Sequence, residues 1–328
     1  MKLSSSQSLS NQTDVSPFTV VLAGGEGLRL QGLTRALYGH PVPKQFAELT
    51  GGGSLLQQTV ERALCQSDAD RIMVVASHKY RETARLQLQR YPGVQLICQP
   101  FAAGTALGIG TALRPVMARD PNATVCFMPS DHHFSEPEVF GQQLRALTQA
   151  PHKDAITLVG VKADRAESEL GWIVPGKALG TVMNRSLFEI EAFHEKPNEN
   201  VTRTLMGRGA LLHTFIMVGK ANAFWRALDA CLPDHAEALA FASRASDPWA
   251  RAAVVRAYKT LPPASFSVDV LQKWPSVQVF EPDSCGWADW GTPERVFASL
   301  KGKPDFLRLQ ERLAFGARTV LPALLLSG

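Results

Sequence analysis

The segment Val20-Val-Leu-Ala-Gly-Gly-Glu-Gly-Leu-Arg-Leu30 constrains the fold more than any other: an apolar run stops at three glycines in four residues. The run, Val20–Ala23, reads as a strand. The glycines let the chain turn with positive φ and bring backbone N–H groups up to an anion without side-chain obstruction. Arg29, and Lys44 in Pro43-Lys-Gln-Phe46, add full positive charge. Strand, turn and two cations together describe a cradle for a polyphosphate. On these residues alone, an ordinary strand-to-helix turn with solubilising charges stays open. The spacing excludes two familiar loops. Gly25-Glu-Gly27 is not followed by the third glycine of the dinucleotide fingerprint, and no G-x-x-x-x-G-K-[ST] occurs.

From Val20 to about Asp131, short apolar runs alternate with amphipathic stretches, which predicts βαβ units on a mainly parallel sheet. Arg71–Ser77, Val94–Cys98 and Thr124–Met128 read as further strands; Tyr80–Tyr91 and Gly104–Arg119 read as helices. Ser54-Leu-Leu-Gln57 has the form of a capping box ahead of Leu56, Val60, Ala63 and Leu64 on one helical face. Ligands in open α/β sheets bind beyond the carboxyl ends of strands. The glycine turn, Gln99-Pro100 and Ser130-Asp131 all fall at such ends. Beyond residue 150 the strands Ile156–Ala163, Gly171–Val174 and Phe188–Phe193 alternate more, as in sheet with one wetter face. Helices are expected from Asn222 to Lys259, with Trp225, Leu228 and Trp249 packing, and from Asp305 to Leu325. No internal repeat is visible.

The expected organisation is a disordered tail over residues 1–16, then one domain over 17–300. Its nucleotide-binding half covers about 17–150 and its sugar-phosphate half 151–300, with a helical extension over 301–328. With 328 residues, 45% of them hydrophobic, the chain can bury a substantial core. A net charge of +4 without basic clusters argues against nucleic-acid or membrane partners and suits a phosphate-bearing substrate. No run of about 18 apolar residues suggests a membrane span. Five widely spaced cysteines point to reduced thiols, and with a tail that lacks an apolar segment they suggest a cytoplasmic protein.

Two carboxylates are the candidate Mg²⁺ pair, because Mg²⁺ on a nucleotide takes one or two protein carboxylates with phosphate oxygens and water. They are Asp131, closing Met128-Pro-Ser-Asp-His132, and Asp289 in Gly286-Trp-Ala-Asp-Trp-Gly291. Taken singly, each also reads as a turn cap. In Phe193-His-Glu-Lys-Pro197, Glu195 offers an acceptor for sugar hydroxyls and Lys196 a charge for phosphate, provided the chain turns there; a solvated charge pair is the alternative. His132 and His133 point oppositely on one strand, so a supporting role suits them better than metal ligation. Ser130 lacks a nucleophile elbow and no triad order stands out.

Together these elements, with Gly104-Thr-Ala106 and Gly171-Trp-Ile-Val174, resemble the sugar-1-phosphate nucleotidyltransferases, and within them the mannose-1-phosphate guanylyltransferases. The resemblance spans residues 20 to about 295. It implies a Rossmann-like nucleotide-diphospho-sugar transferase (GT-A-like) fold, with a nucleoside triphosphate (GTP favoured) and a sugar 1-phosphate as partners; UTP, dTTP, CTP or another sugar, or a non-catalytic nucleotide-sugar-binding relative, stay open. A homo-oligomer is open too. The implied nucleotide contacts are Leu22, Ala23, Gly24, Gly25, Gly27, Arg29, Lys44, Gln99, Gly104, Thr105, Ser130 and Asp131. Arg29, Lys44 and Asp131 are the catalytic set, Asp131 and Asp289 carry Mg²⁺, and Gly171, Glu195, Lys196 and His213 meet the sugar phosphate. The chain departs from the guanylyltransferase pattern at Gly104 and Leu107, where Asn-Thr-Ala-Pro is usual, and at Leu211–Phe215, where Trp-Asn-Ser-Gly is usual.

Overall fold

A computed structural model describes residues 16–152, 154–243, 252, 255–256 and 258–325. Residues 1–15 of the expected tail, Trp249 and the final residues 326–328 lie outside the described residues. Among those described, eleven strands form: β1 Phe18–Ala23, β2 Ile72–Ser77, β3 Gln95–Gln99, β4 Thr124–Pro129, β5 His133–Phe134, β6 Ile156–Lys162, β7 Trp172–Val182, β8 Arg185–His194, β9 Leu211–Lys220, β10 Val277–Phe280 and β11 Trp287–Ala288. Nine join one sheet in the order β3-β2-β1-β4-β9-β6-β10-β8-β7, and β5 pairs with β11 apart from it.

The sheet is mixed but mostly parallel. The pairs β2–β3, β1–β2, β1–β4 and β6–β10 are parallel, while β8 and β9 oppose their neighbours, so seven of the nine strands run one way. β1 shows why its sequence is uniformly apolar. Its alternate residues point to opposite faces, and both faces are covered. Phe18 and Val20 pack with Val125 and Phe127 and the helix Thr105–Arg119. Val21 and Ala23 pack with Leu56 and Val60 of the helix Leu55–Leu64. That helix begins at the expected capping box: Ser54 Oγ accepts from Gln57 N–H, and Gln57 Oε1 accepts from Ser54 N–H.

The second half closes on itself. β7 pairs with β8 and, through Trp172 and Ile173, with β9, so β9, β6, β10, β8 and β7 form a five-strand ring. β7 and β8 meet at Met183 and Asn184, both with positive φ, as a tight two-residue hairpin needs. β9 and β10 were not anticipated as strands. The helices Ala221–Cys231 and Pro233–Ser243 follow β9, and a helix over Pro304–Leu325 closes the described chain.

Register decides where the strand ends fall. Ser77 pairs with Gln99 and Leu22 with Pro129, and Ser130 N–H then donates to Leu22 O at 3.0 Å. The glycine turn, Gln99 and Asp131 therefore leave one edge of the sheet side by side.

Loss of the Ser54 cap tests the local reading. Ser54→Ala removes the acceptor for Gln57 N–H and the Ser54 Oγ bond to Gln87, and should cost about 1 to 2 kcal/mol, read as a lower urea midpoint at unchanged slope.

Candidate active site

The element Pro43–Phe46 works as an anchor, a clamp and a probe in successive residues. Phe46 is buried against Leu56, Val60 and Ala84. Gln45 Nε2 donates to the carbonyls of Ala23 and Gly25, at 3.2 and 2.5 Å, and so holds the glycine turn in place. Lys44, 6% exposed, sends its ammonium to Asp131 Oδ2 at 2.9 Å and to the backbone carbonyl of Asp289 at 2.5 Å. Gly27 accommodates this closeness. Its φ is +59°, and a Cβ there would lie 2.6 Å from Lys44 N, so both conformation and space call for glycine.

These groups wall a crevice of about 380 Å³ lined by Glu26, Gly27, Leu28, Arg29, Leu30, Lys44, Asp131 and Gly291. Arg29 stands at its mouth, half exposed and paired with Glu169 at 2.9 Å. An exposed pair of this kind is worth little, about 0 to 1 kcal/mol, so Arg29 can exchange Glu169 for an anion at small cost. Burial would raise the Asp131 carboxyl, but the Lys44 ammonium and His132 hold it below the usual carboxylate range.

Residues 131 and 289 meet because β5 pairs with β11, with His133 opposite Ala288. Trp287 Nε1 donates to His132 Nδ1 at 3.2 Å, and His133 stacks on Trp290 at 4.2 Å. Asp289 reaches the crevice wall only through its carbonyl, which accepts from the Lys44 ammonium. Its carboxylate faces the other way, accepting from Arg295 Nη1 at 2.9 and 2.8 Å, while Arg295 Nη2 bonds Glu167. Arg295 sits in the first turn of the helix Pro293–Leu300, which Thr292 caps.

Next to this crevice, Gly171, Glu195 and His213 converge. His213 N–H donates to Gly171 O at 2.8 Å; a Cβ on Gly171 would lie 3.0 Å from Glu195 Oε2 and 3.3 Å from His213 Cβ. Burial pushes the Glu195 carboxyl up, against the pull of Lys196 and a Ser267 hydrogen bond. Lys196 takes a left-handed φ of 45°, the turn that this segment needed. His213 is buried and both of its ring nitrogens lack a partner in the protein; burial, reinforced by nearby His132, lowers it to about 3.

On the other flank, Gln99 is buried beneath the glycine turn. Its Nε2 donates to Tyr258 OH at 3.0 Å, and its Oε1 is the atom nearest a Cβ built on Gly24. Gly104, at φ +84°, starts the helix Thr105–Arg119 against Ala264, and Thr105 Oγ1 accepts from Phe266 N–H at 2.8 Å. Leu22, Ala23, Gly25 and Ser130 surround the same strand ends. Of the residues expected from sequence, Gly27, Arg29, Lys44 and Asp131 line the crevice, Gly171, Glu195 and His213 form a second group, Gln99, Gly104 and Thr105 lie on the other flank, and the Asp289 carboxylate faces a separate cavity; Gln45, Glu167, Glu169, Tyr258, Ser267 and Arg295 were not foreseen. Gln45 lay inside a quoted element, and Thr292-Pro-Glu is a helix-start pattern that would have placed Arg295 in a first turn. No sequence signal marks the others.

A model of the family described as Nucleotidyl transferase matches residues 18–301. The chain is 29% identical over 191 residues to the alginate biosynthesis protein AlgA of Pseudomonas aeruginosa, covering 58% of this chain and 38% of that protein. It is 26% identical over 303 residues to mannose-1-phosphate guanylyltransferase 2 of Escherichia coli O157:H7, covering 89% and 61%. The chain therefore spans less than two thirds of the length of these relatives. A crystal structure titled mannose-1-phosphate geranyltransferase, from Thermus thermophilus, superposes with a TM-score of 0.75 at 21% identity, over 88% of this chain and 80% of that one. Among the described residues no helix is long and apolar enough to cross a membrane.

Three neutral histidines line this region: His132 and His133, lowered by burial to about 4, and His213, to about 3. An unfolded histidine protonates near 6.5, so below that pH the unfolded chain binds protons that the folded one refuses. Stability should be full above pH 6.5 and fall as pH drops toward 4, by on the order of 3 kcal/mol at most per histidine. Urea midpoints measured from pH 7 to 4 should show this slope, and His133→Phe should flatten it.

Proposed function

The chain belongs to the nucleotidyl transferase family, and from that premise we propose that it joins a sugar 1-phosphate to a nucleoside triphosphate, giving a nucleotide sugar and pyrophosphate. The observation that carries this reading is the 380 Å³ crevice, where a glycine turn, Arg29, Lys44 and Asp131 face one another. The attacking phosphate oxygen is already an anion, so no protein nucleophile is needed. The work is to hold two polyanions in line and to offset their repulsion with preorganised charge.

In this reading the glycine turn, with Gly24, Gly25 and Gly27, receives the triphosphate. Lys44 is held rigidly beside the reacting phosphorus, and Arg29 leaves Glu169 for phosphate oxygens. Gln99, backed by Tyr258, and Thr105 face the base. Gly171, Glu195, Lys196 and His213 take the sugar phosphate: a neutral imidazole with two unpartnered nitrogens offers one donor and one acceptor, which matches a sugar hydroxyl. The donors suit Mg²⁺ in kind. Asp131 lines the crevice with Oδ1 left outside the Lys44 contact, and Asp289 lies across the same lysine. Among the described residues no three His, Cys, Asp or Glu side chains form a ready cage, so the remaining ligands would come from phosphate and water. When bound there, Mg²⁺ would neutralise triphosphate charge and orient the leaving pyrophosphate.

The named relatives favour mannose 1-phosphate with GTP, and GDP-mannose as product. A panel of GTP, UTP, dTTP and CTP with several sugar phosphates, assayed for pyrophosphate release with Mg²⁺ and with chelator, tests the reaction and the substrates together. Release is expected with GTP and mannose 1-phosphate and should vanish on chelation; no release from any pair would refute the reaction. Arg29→Ala should lower turnover by about 10² or more, and Asp131→Asn should remove most Mg²⁺-dependent turnover. An Arg29 variant within threefold of the parent would remove that residue from the mechanism.

A further inference from the structure

Asp289 has two suitors. Both of its carboxylate oxygens accept from Arg295 Nη1, at 2.9 and 2.8 Å, and the side chains of Asp289, Arg295 and Glu167 are 10, 13 and 7% exposed. The same residue's carbonyl receives the Lys44 ammonium that also holds Asp131. The Asp289 carboxylate therefore belongs to a residue whose backbone touches Lys44, a lysine of the crevice wall. Gly291, on the crevice wall, is so near that a Cβ there would lie 2.6 Å from Asp289 Oδ2, 2.9 Å from Arg295 Nη1 and 3.4 Å from Arg29 Nη2.

A guanidinium that occupies both oxygens and a divalent cation that needs at least one of them are alternative partners. Resting on the reading above, we propose that Arg295 is a positioning residue that competes with the divalent cation for Asp289, with Glu167 as the carboxylate to which it withdraws. Glu167 makes the exchange feasible. Stranding a buried guanidinium would be costly, but Arg295 already bonds Glu167 and stays paired after releasing Asp289. There is also room to move: Glu167, Asp289 and Arg295 line a separate cavity of about 730 Å³.

The test is Mn²⁺ binding to the full chain without nucleotide, followed by the loss of the free-ion electron paramagnetic resonance signal, so that turnover is not the readout. Arg295→Met should tighten Mn²⁺ binding about tenfold, a change of about 1.4 kcal/mol. Adding Asp289→Asn should abolish the gain. Arg295→Lys, which keeps the charge but has one nitrogen to share between Asp289 and Glu167, should fall between. Unchanged or weaker binding in Arg295→Met would overturn the proposal. Should that variant not fold, Glu167→Gln removes the alternative partner, keeps Arg295 on Asp289 and should weaken Mn²⁺ binding by a similar factor; no change there overturns it equally. A dead substrate panel with the Mn²⁺ shifts present would sink nucleotidyl transfer and leave the competition standing; an active panel with flat Mn²⁺ affinity would do the reverse.

Discussion

A buried ammonium must find partners, and the ones that Lys44 finds set the rest of the site. Its Nζ bridges the Asp131 carboxylate and the Asp289 carbonyl, so one charge joins three segments: the Pro43–Phe46 element, the end of β4 and the exit of β11. Without such contacts, desolvating the charge would cost several kcal/mol. Its neighbours follow from it. Gly27 has no room for a side chain beside the Lys44 backbone, and the Gln45 amide fastens the glycine turn to the same element. A flexible glycine loop thereby becomes a fixed one, which is what charge stabilisation requires: dipoles and cations already in place need no reorganisation when the anion arrives.

Backbone strain collects at the same edge. Lys196, Phe215 and Trp290 have left-handed φ values of 45°, 58° and 48°; they follow Glu195 directly, His213 at two residues and Asp289 directly. For side chains with a Cβ this conformation is uncommon and costs on the order of 1 kcal/mol or more. At each position it breaks the alternation by which a strand sends successive side chains to opposite faces. The five-strand ring supplies the rigidity that holds them, since β7 is bonded on two sides where Gly171 leads into it.

Much of the first half was legible because β1, β2 and β4 are apolar runs ended by turn residues, a pattern that local sterics alone enforce. Ser54–Gln57 was legible for the same reason, since a capping box is complete within four residues. β9 was not. Leu211-Leu-His-Thr-Phe215 breaks the apolar run with two polar residues, and these are buried: Thr214 by donating to Val159 O, His213 with neither ring nitrogen hydrogen-bonded in the protein. β10 is only four residues long and gains its place by pairing with β6 and β8 from across the chain. The β5–β11 pair, two residues a side, leaves no periodic trace at all.

By itself, then, the sequence determined the strands that run apolar from end to end, the glycine turn and the capped helix, and it singled out Gly27, Arg29, Lys44 and Asp131 among the residues at the crevice. These depend on steric exclusion and on spacing within a few residues, which the chain carries wherever it folds. Only the tertiary structure decided which partner each charge takes: Lys44 between Asp131 and a carbonyl, the Asp289 carboxylate on Arg295, Arg295 shared with Glu167, His213 buried and neutral. Electrostatic partnership depends on burial and on distances between segments that the fold brings together, as far apart in sequence as Lys44 and Asp289, and those exist only once the sheet has closed.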